Sequence, residues 1–95
     1  MKSLGLVEVS GVVAAVDALD LMCKSSNVEF VTWERKLGGR LVTIIVTGNV
    51  SDVTEAVECV KRSAATPPCA SYVIANPHEE TMRMVELSAS RMKKK

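Results

Sequence analysis

Few side chains in this sequence could carry chemistry: three cysteines, one histidine and a group of cations around a glycine pair. The cations are the richest feature. Arg35-Lys36-Leu37-Gly38-Gly39-Arg40 places three positive charges on a turn with two adjacent glycines, residues that take positive φ at low cost. Such a turn lets backbone come close to another molecule with positive charge beside it. It lacks the Lys-Ser/Thr of a P-loop and opens no helix, so it is not a nucleotide cradle. The bland alternative is a solvated basic turn.

Cys23, Cys59 and Cys69 form no Cys-x-x-Cys pair and are odd in number, which argues against a disulfide framework and for a reducing compartment. Cys23 and Cys59 lie on or beside helical stripes and read as core filling. Cys69 follows Thr66-Pro67-Pro68 and has two readings, a small thiol under a loop or a metal ligand. His78 has no carboxylate or nucleophile obviously paired with it, so it reads as a surface or edge residue and not a catalytic base. With no catalytic constellation visible, the chain is read as a non-enzyme.

The elements that must position these residues follow from periodicity. The basic turn joins Val28–Glu34, rich in β-branched and aromatic residues, to the apolar run Leu41–Thr47, which makes a β-hairpin. Leu4–Val9 is a first strand, with Leu4 and Leu6 on one face and Val7 and Val9 on the other. Ser10 can cap the helix that follows, whose expected stripe is Val12, Ala15, Val16, Leu19, Met22 and Cys23. Asp20 and Lys24 stand one turn apart on it and can pair. Asn49 is the expected cap of a second helix with Val53, Ala56, Val57, Val60 and Ala64 inward, ended by Pro67-Pro68. Ala70–Ala75 is a fourth strand. Asn76-Pro77-His78-Glu79 reads as a helix start with Asn76 as cap and Pro77 at the first helical position. That helix is expected to end near Ala89, with Met82, Val85 and Ala89 along one side. Met82, Met84 and Met92 are expected to pack. The order β-α-β-β-α-β plus a terminal helix predicts an α+β, ferredoxin-like split βαβ fold with two helices on one face of an antiparallel sheet.

Ninety-five residues, 47% of them apolar, suit one small domain. Domains of this size often gain stability by oligomerising. Arg91, Lys93, Lys94 and Lys95 supply four of the twelve basic residues, leaving eight against eleven acidic ones in the rest. Residues 1–90 are therefore read as the domain and 91–95 as a basic disordered tail. A mildly acidic body with three aromatics argues against nucleic-acid binding. No apolar run approaches the roughly 18 residues of a membrane span, and the start, Met1-Lys2-Ser3-Leu4-Gly5, lacks a signal-peptide core. The expectation is a cytoplasmic protein with no membrane partner.

The order and spacing of several stretches resemble the single-domain shell proteins of bacterial microcompartments, the BMC-domain family. They are Leu4-Gly5-Leu6-Val7-Glu8, then Ala18 through Val28, then Lys36-Leu37-Gly38-Gly39-Arg40-Leu41-Val42-Thr43, and Val73-Ile74-Ala75-Asn76-Pro77-His78. The resemblance runs from about Leu4 to Val85. It implies a flat cyclic hexamer that tiles with other shell proteins into the wall of an organelle around encapsulated enzymes. It also implies a central pore for small metabolites, lined by the hairpin turn. The family's Lys-Ile-Gly-Ser-Gly type turn becomes Lys36, Leu37, Gly38, Gly39 and Arg40 here, so Gly39 replaces the serine at the narrowest point. A ring of Arg40 would favour anions.

The same resemblance implies hexamer-to-hexamer contacts through Lys24 and the Pro77-His78 pair, with Asn76 replacing the family's arginine. The Thr66-Pro67-Pro68-Cys69 connection is about two residues shorter than in typical members, and its topology brings it to the hairpin end of the sheet. A variant reading therefore adds an iron–sulfur cluster near the symmetry axis, held by Cys69 from several chains, as in some shell proteins of glycyl-radical-type compartments. The rival from another class is a ferredoxin-like oligomeric sensor of an anionic effector bound at the glycine turn.

Overall fold

A computed structural model describes residues 2–93. Its strands are β1 (Ser3–Val9), β2 (Glu29–Lys36), β3 (Leu41–Gly48) and β4 (Ala70–Ile74). Its helices are α1 (Val12–Ser25), α2 (Val50–Ser63) and α3 (Glu79–Lys93). The strands make one sheet in the order β2-β3-β1-β4, every neighbouring pair antiparallel. This is the expected α+β arrangement.

Both faces of the sheet are covered, which explains why β3 is apolar on both sides. On one face Val42, Ile44 and Val46 join Val7 and Val9 beneath α1 and α2, meeting Ala15, Ala18, Met22, Val53 and Val57. On the other, Ile45 and Leu4 meet Val85 and Met82 of α3. Gly5 sets how closely α2 lies on β1: a Cβ there would stand 2.8 Å from Val53 Cγ1. In β2 the pairing register shifts between Phe30 and Thr32, a bulge. Consecutive side chains Val31 and Thr32 consequently both reach α3, while Phe30 and Trp33 meet edge to face, ring centroids 6.3 Å apart.

Three local expectations are corrected. Ser10 does not cap α1. Gly11 stands at that position with φ 106° and no side-chain bond, and the Ser10 hydroxyl lies 3.3 Å from the Cys69 thiol instead. The buried side of α1 is also rotated from the expected stripe. Ala15, Ala18 and Met22 are inside, and Val12, Val16 and Cys23 are exposed. Small alanines let the helix sit close to the sheet, and an apolar residue at nearly every position leaves periodicity without a clear phase.

The third correction concerns α3. Its cap is His78, not Asn76: the Met82 N–H donates to the His78 carbonyl, and the Glu80 N–H donates to His78 Nδ1 at 3.0 Å. Pro77 is buried just outside the helix. Beyond Ala89 the helix continues to Lys93, into the stretch expected as a tail. There Met92 Sδ lies 3.2 Å from the Thr32 hydroxyl and 3.4 Å from the Trp33 amide nitrogen. Residues 94 and 95 of that stretch lie outside the described residues. Met82 packs as expected, whereas Met84 is exposed.

The Asn49 cap of α2 stands, its Oδ1 accepting from the Asp52 N–H at 2.9 Å. So does its inner stripe, with Val53, Ala56, Val57 and Val60 buried and Cys59 buried beside them, while Ala64 is the C-cap and half-buried against the same core.

Candidate functional site

The hairpin tip is built on backbone that only a few residue types accept. Leu37 has φ 55°, Gly38 66° and Gly39 92°, three successive left-handed positions closed by an Arg40 N–H donating to the Leu37 carbonyl at 3.3 Å. Two are glycine, as the sequence suggests. The third is a leucine, and this conformation costs an L-residue about 1–2 kcal/mol. Leu37 nevertheless projects into solvent, 72% exposed, so burial does not compensate. A Cβ on Gly39 would lie 3.3 Å from Val12 Cγ2, so the turn folds over the start of α1.

Charge is distributed unevenly around this tip. Among the described residues, the ion pairs take Lys2, Lys24, Lys61, Arg62 and Arg83. None takes Arg35, Lys36, Arg40 or Arg91. Arg35 and Lys36 pair with Val42 and Leu41 across the hairpin, beside Arg40. Arg91 reaches the same end of the sheet from α3, where it lines one cleft with Arg35.

Cys69 also lies at this end. Its N–H donates to the Glu8 carbonyl at 2.7 Å, and Ala70 pairs with Glu8 two strands from the hairpin. The thiol is exposed. Among the described residues, no three His, Cys, Asp or Glu side chains stand together as a metal site. One thiol with a serine hydroxyl beside it does not fit an iron–sulfur cluster within the chain.

The sequence pattern of the BMC domain matches residues 3–77. The chain belongs to the BMC-domain family. It is 38% identical over 86 residues to the bacterial microcompartment shell protein PduA of Citrobacter freundii, covering 88% of this chain and 91% of that protein. It is 40% identical over 81 residues to the carboxysome shell protein CcmK1 of Thermosynechococcus vestitus, covering 81% of this chain and 71% of that one. A solved microcompartment protein from Desulfitobacterium hafniense DCB superposes with a TM-score of 0.78 at 25% identity over 93% of this chain. This BMC-domain chain spans 48% of that protein's length.

The residues expected at the edge of a BMC hexamer stand at the end of the sheet opposite the hairpin. Lys24 closes α1, and Ser26 just after it donates to the Asp52 carbonyl at the start of α2. Ser3, paired with Gly48, donates to the Ala75 carbonyl immediately before Asn76 and His78. Lys24, Asn76 and His78 are all exposed. The Asp20 carboxylate hydrogen-bonds to the Lys24 ammonium at 2.9 Å, and that bond, then its charge, raises the lysine above its ordinary pKa. His78 accepts at Nδ1, which in a neutral imidazole leaves the proton on Nε2.

The sequence reading missed Arg91 and Trp33. It assigned the first to a tail and the second only to a strand. Met92, expected to pack, already carried the signal: one residue past Arg91, it requires the helix to continue against the sheet beyond Ala89.

Proposed function

We propose that this BMC-domain protein is a structural, non-enzymatic subunit of a bacterial microcompartment shell in the cytoplasm. It assembles with copies of itself and with other shell proteins. The observation that carries the reading is 38% identity to a shell protein over 91% of that protein's length. The assembly is a cyclic hexamer with Lys36, Leu37, Gly38, Gly39 and Arg40 around a central opening, and small metabolites reach the encapsulated enzymes through it.

Two features of the chain support this arrangement. The hairpin turn and the residues Lys24, Asn76 and His78 lie at opposite ends of one sheet, as a centre and a rim require. The cations at the hairpin end are outside every ion pair among the described residues, so their charge is available to a permeant. A ring of six such ends is electropositive and favours anions. Gly39 offers only backbone at the position where the family has serine.

Light scattering tests the ring first. A mass of about 61 kDa is expected, six chains of 10.2 kDa each; a monomer or dimer removes the geometric basis of the pore. Arg40→Glu is then expected to reverse the charge preference of small-ion passage through assembled layers. Anion flux unchanged by that substitution sinks the pore assignment.

A further inference from the structure

We propose that the cleft between β2 and the last turns of α3 binds a small organic monoanion, a carboxylate carried on a short apolar body. The cleft holds about 430 Å³ and is lined by Trp33, Glu34, Arg35, Ser88, Arg91 and Met92. Neither Arg35 nor Arg91 is taken by an ion pair among the described residues. A guanidinium presents a planar fork of donors suited to carboxylate, so two of them on one cleft make an anion site. Trp33 and Met92 supply apolar wall beside the cations.

Glu34 shares the cleft without cancelling it. Its carboxylate accepts from the Ser88 hydroxyl, which in turn contacts Thr32 Oγ1 at 2.9 Å. No ion pair joins Glu34 to either arginine among the described residues. Two guanidinium groups against one carboxylate leave the cleft with a single net positive charge, which suits a monoanion better than a dianion.

The walls are preformed. Thr32 is fully buried, and Ser88 and Met92 fasten α3 to β2 through it. The Trp33 backbone N–H donates to the Met92 sulfur at 3.4 Å. The last turns of α3 thus sit against the strand before any ligand arrives, so binding need not pay to order them. β2 and α3 supply all six of these residues, so binding can be measured on a monomer as well as on a ring.

The test uses the one tryptophan of the chain as its own probe. Hexanoate titrated at constant ionic strength is expected to change Trp33 fluorescence saturably, and hexylammonium to leave it unchanged. Arg91→Gln is expected to weaken hexanoate binding about tenfold, the loss of one charge-assisted contact. Lys61→Gln, on α2 across the sheet from the cleft, is expected to shift it less than about twofold. Arg35→Gln repeats the measurement should Arg91→Gln lose helicity by circular dichroism. An absent or unsaturable response overturns the proposal, as does equal weakening by Lys61→Gln, which would mean diffuse attraction to a basic surface. The mass of the same sample separates this site from the shell reading. Binding by a monomer keeps the cleft and removes the ring, and a six-chain particle without binding does the reverse.

Discussion

At the scale of the residue, Gly39 shows why a single departure from a family turn is tied to its surroundings. Its φ of 92° suits glycine, and the nearest atom to an added Cβ is Val12 Cγ2 at 3.3 Å. Gly39→Ser, which restores the family's residue, is therefore expected to destabilise this chain by about 1–2 kcal/mol. Adding Val12→Ala should recover only the steric share, because the backbone conformation is unchanged. Chemical denaturation of the two variants measures both parts; an unaffected midpoint for Gly39→Ser would mean the turn has another conformation open to it. Leu37 is the more telling residue, since it accepts the same left-handed conformation without glycine's freedom and without burial. Strain kept at an exposed apolar tip fits a side chain retained for what it meets outside the chain.

At the scale of the element, the start of α3 separates two readings of one stretch. Asn76-Pro77-His78-Glu79 satisfies the usual pattern of a helix start, and Asn is the stronger capping type. The structure starts the helix two residues later and gives the cap to a histidine ring nitrogen. Ser3 Oγ donates to the Ala75 carbonyl, and Pro77 is buried, so the chain is held through a bend at Ala75 and Asn76 before the helix can begin. His78→Ala is expected to cost about 1 kcal/mol through the lost Glu80 acceptor. Asn76→Ala should stay within about 0.5 kcal/mol, as exposed substitutions do. Thermal unfolding of both variants under one condition decides between the caps; the opposite ranking would restore Asn76 to that role.

At the scale of the whole molecule, the sheet holds two sets of exposed residues apart, one at each end. The hairpin, Arg91 and Cys69 gather at one end, and Lys24, Asn76 and His78 at the other. If the second end is the rim of a hexamer, Asn76→Arg should promote tiling by restoring the family's residue beside His78. Negative-stain microscopy is expected to show sheets or tubes of Asn76→Arg at lower protein concentration than for the natural chain. No change in that threshold would take Asn76 out of the edge. The sensor reading gains nothing from relatives named as shell proteins, and the cluster reading has only one cysteine per chain at the hairpin end.

The order of strands and helices, the Asn49 cap, the α2 stripe and the glycine turn were legible in the amino acids alone. Each rests on interactions between near neighbours in the chain, or on an apolar spacing with one clear phase. Sequence patterns also carried the family, because it depends on many short stretches in a fixed order. Tertiary structure decided what local pattern leaves degenerate. It chose which side of an apolar-rich α1 faces the sheet. It chose His78 over Asn76, because Ser3 and the buried Pro77 hold the approach to α3. It made a helix of a stretch that composition reads as tail, because Met92 and Ser88 find Thr32 and Trp33 about sixty residues away in the chain. That long-range contact brings Arg91 beside Arg35, and no spacing along the chain encodes it.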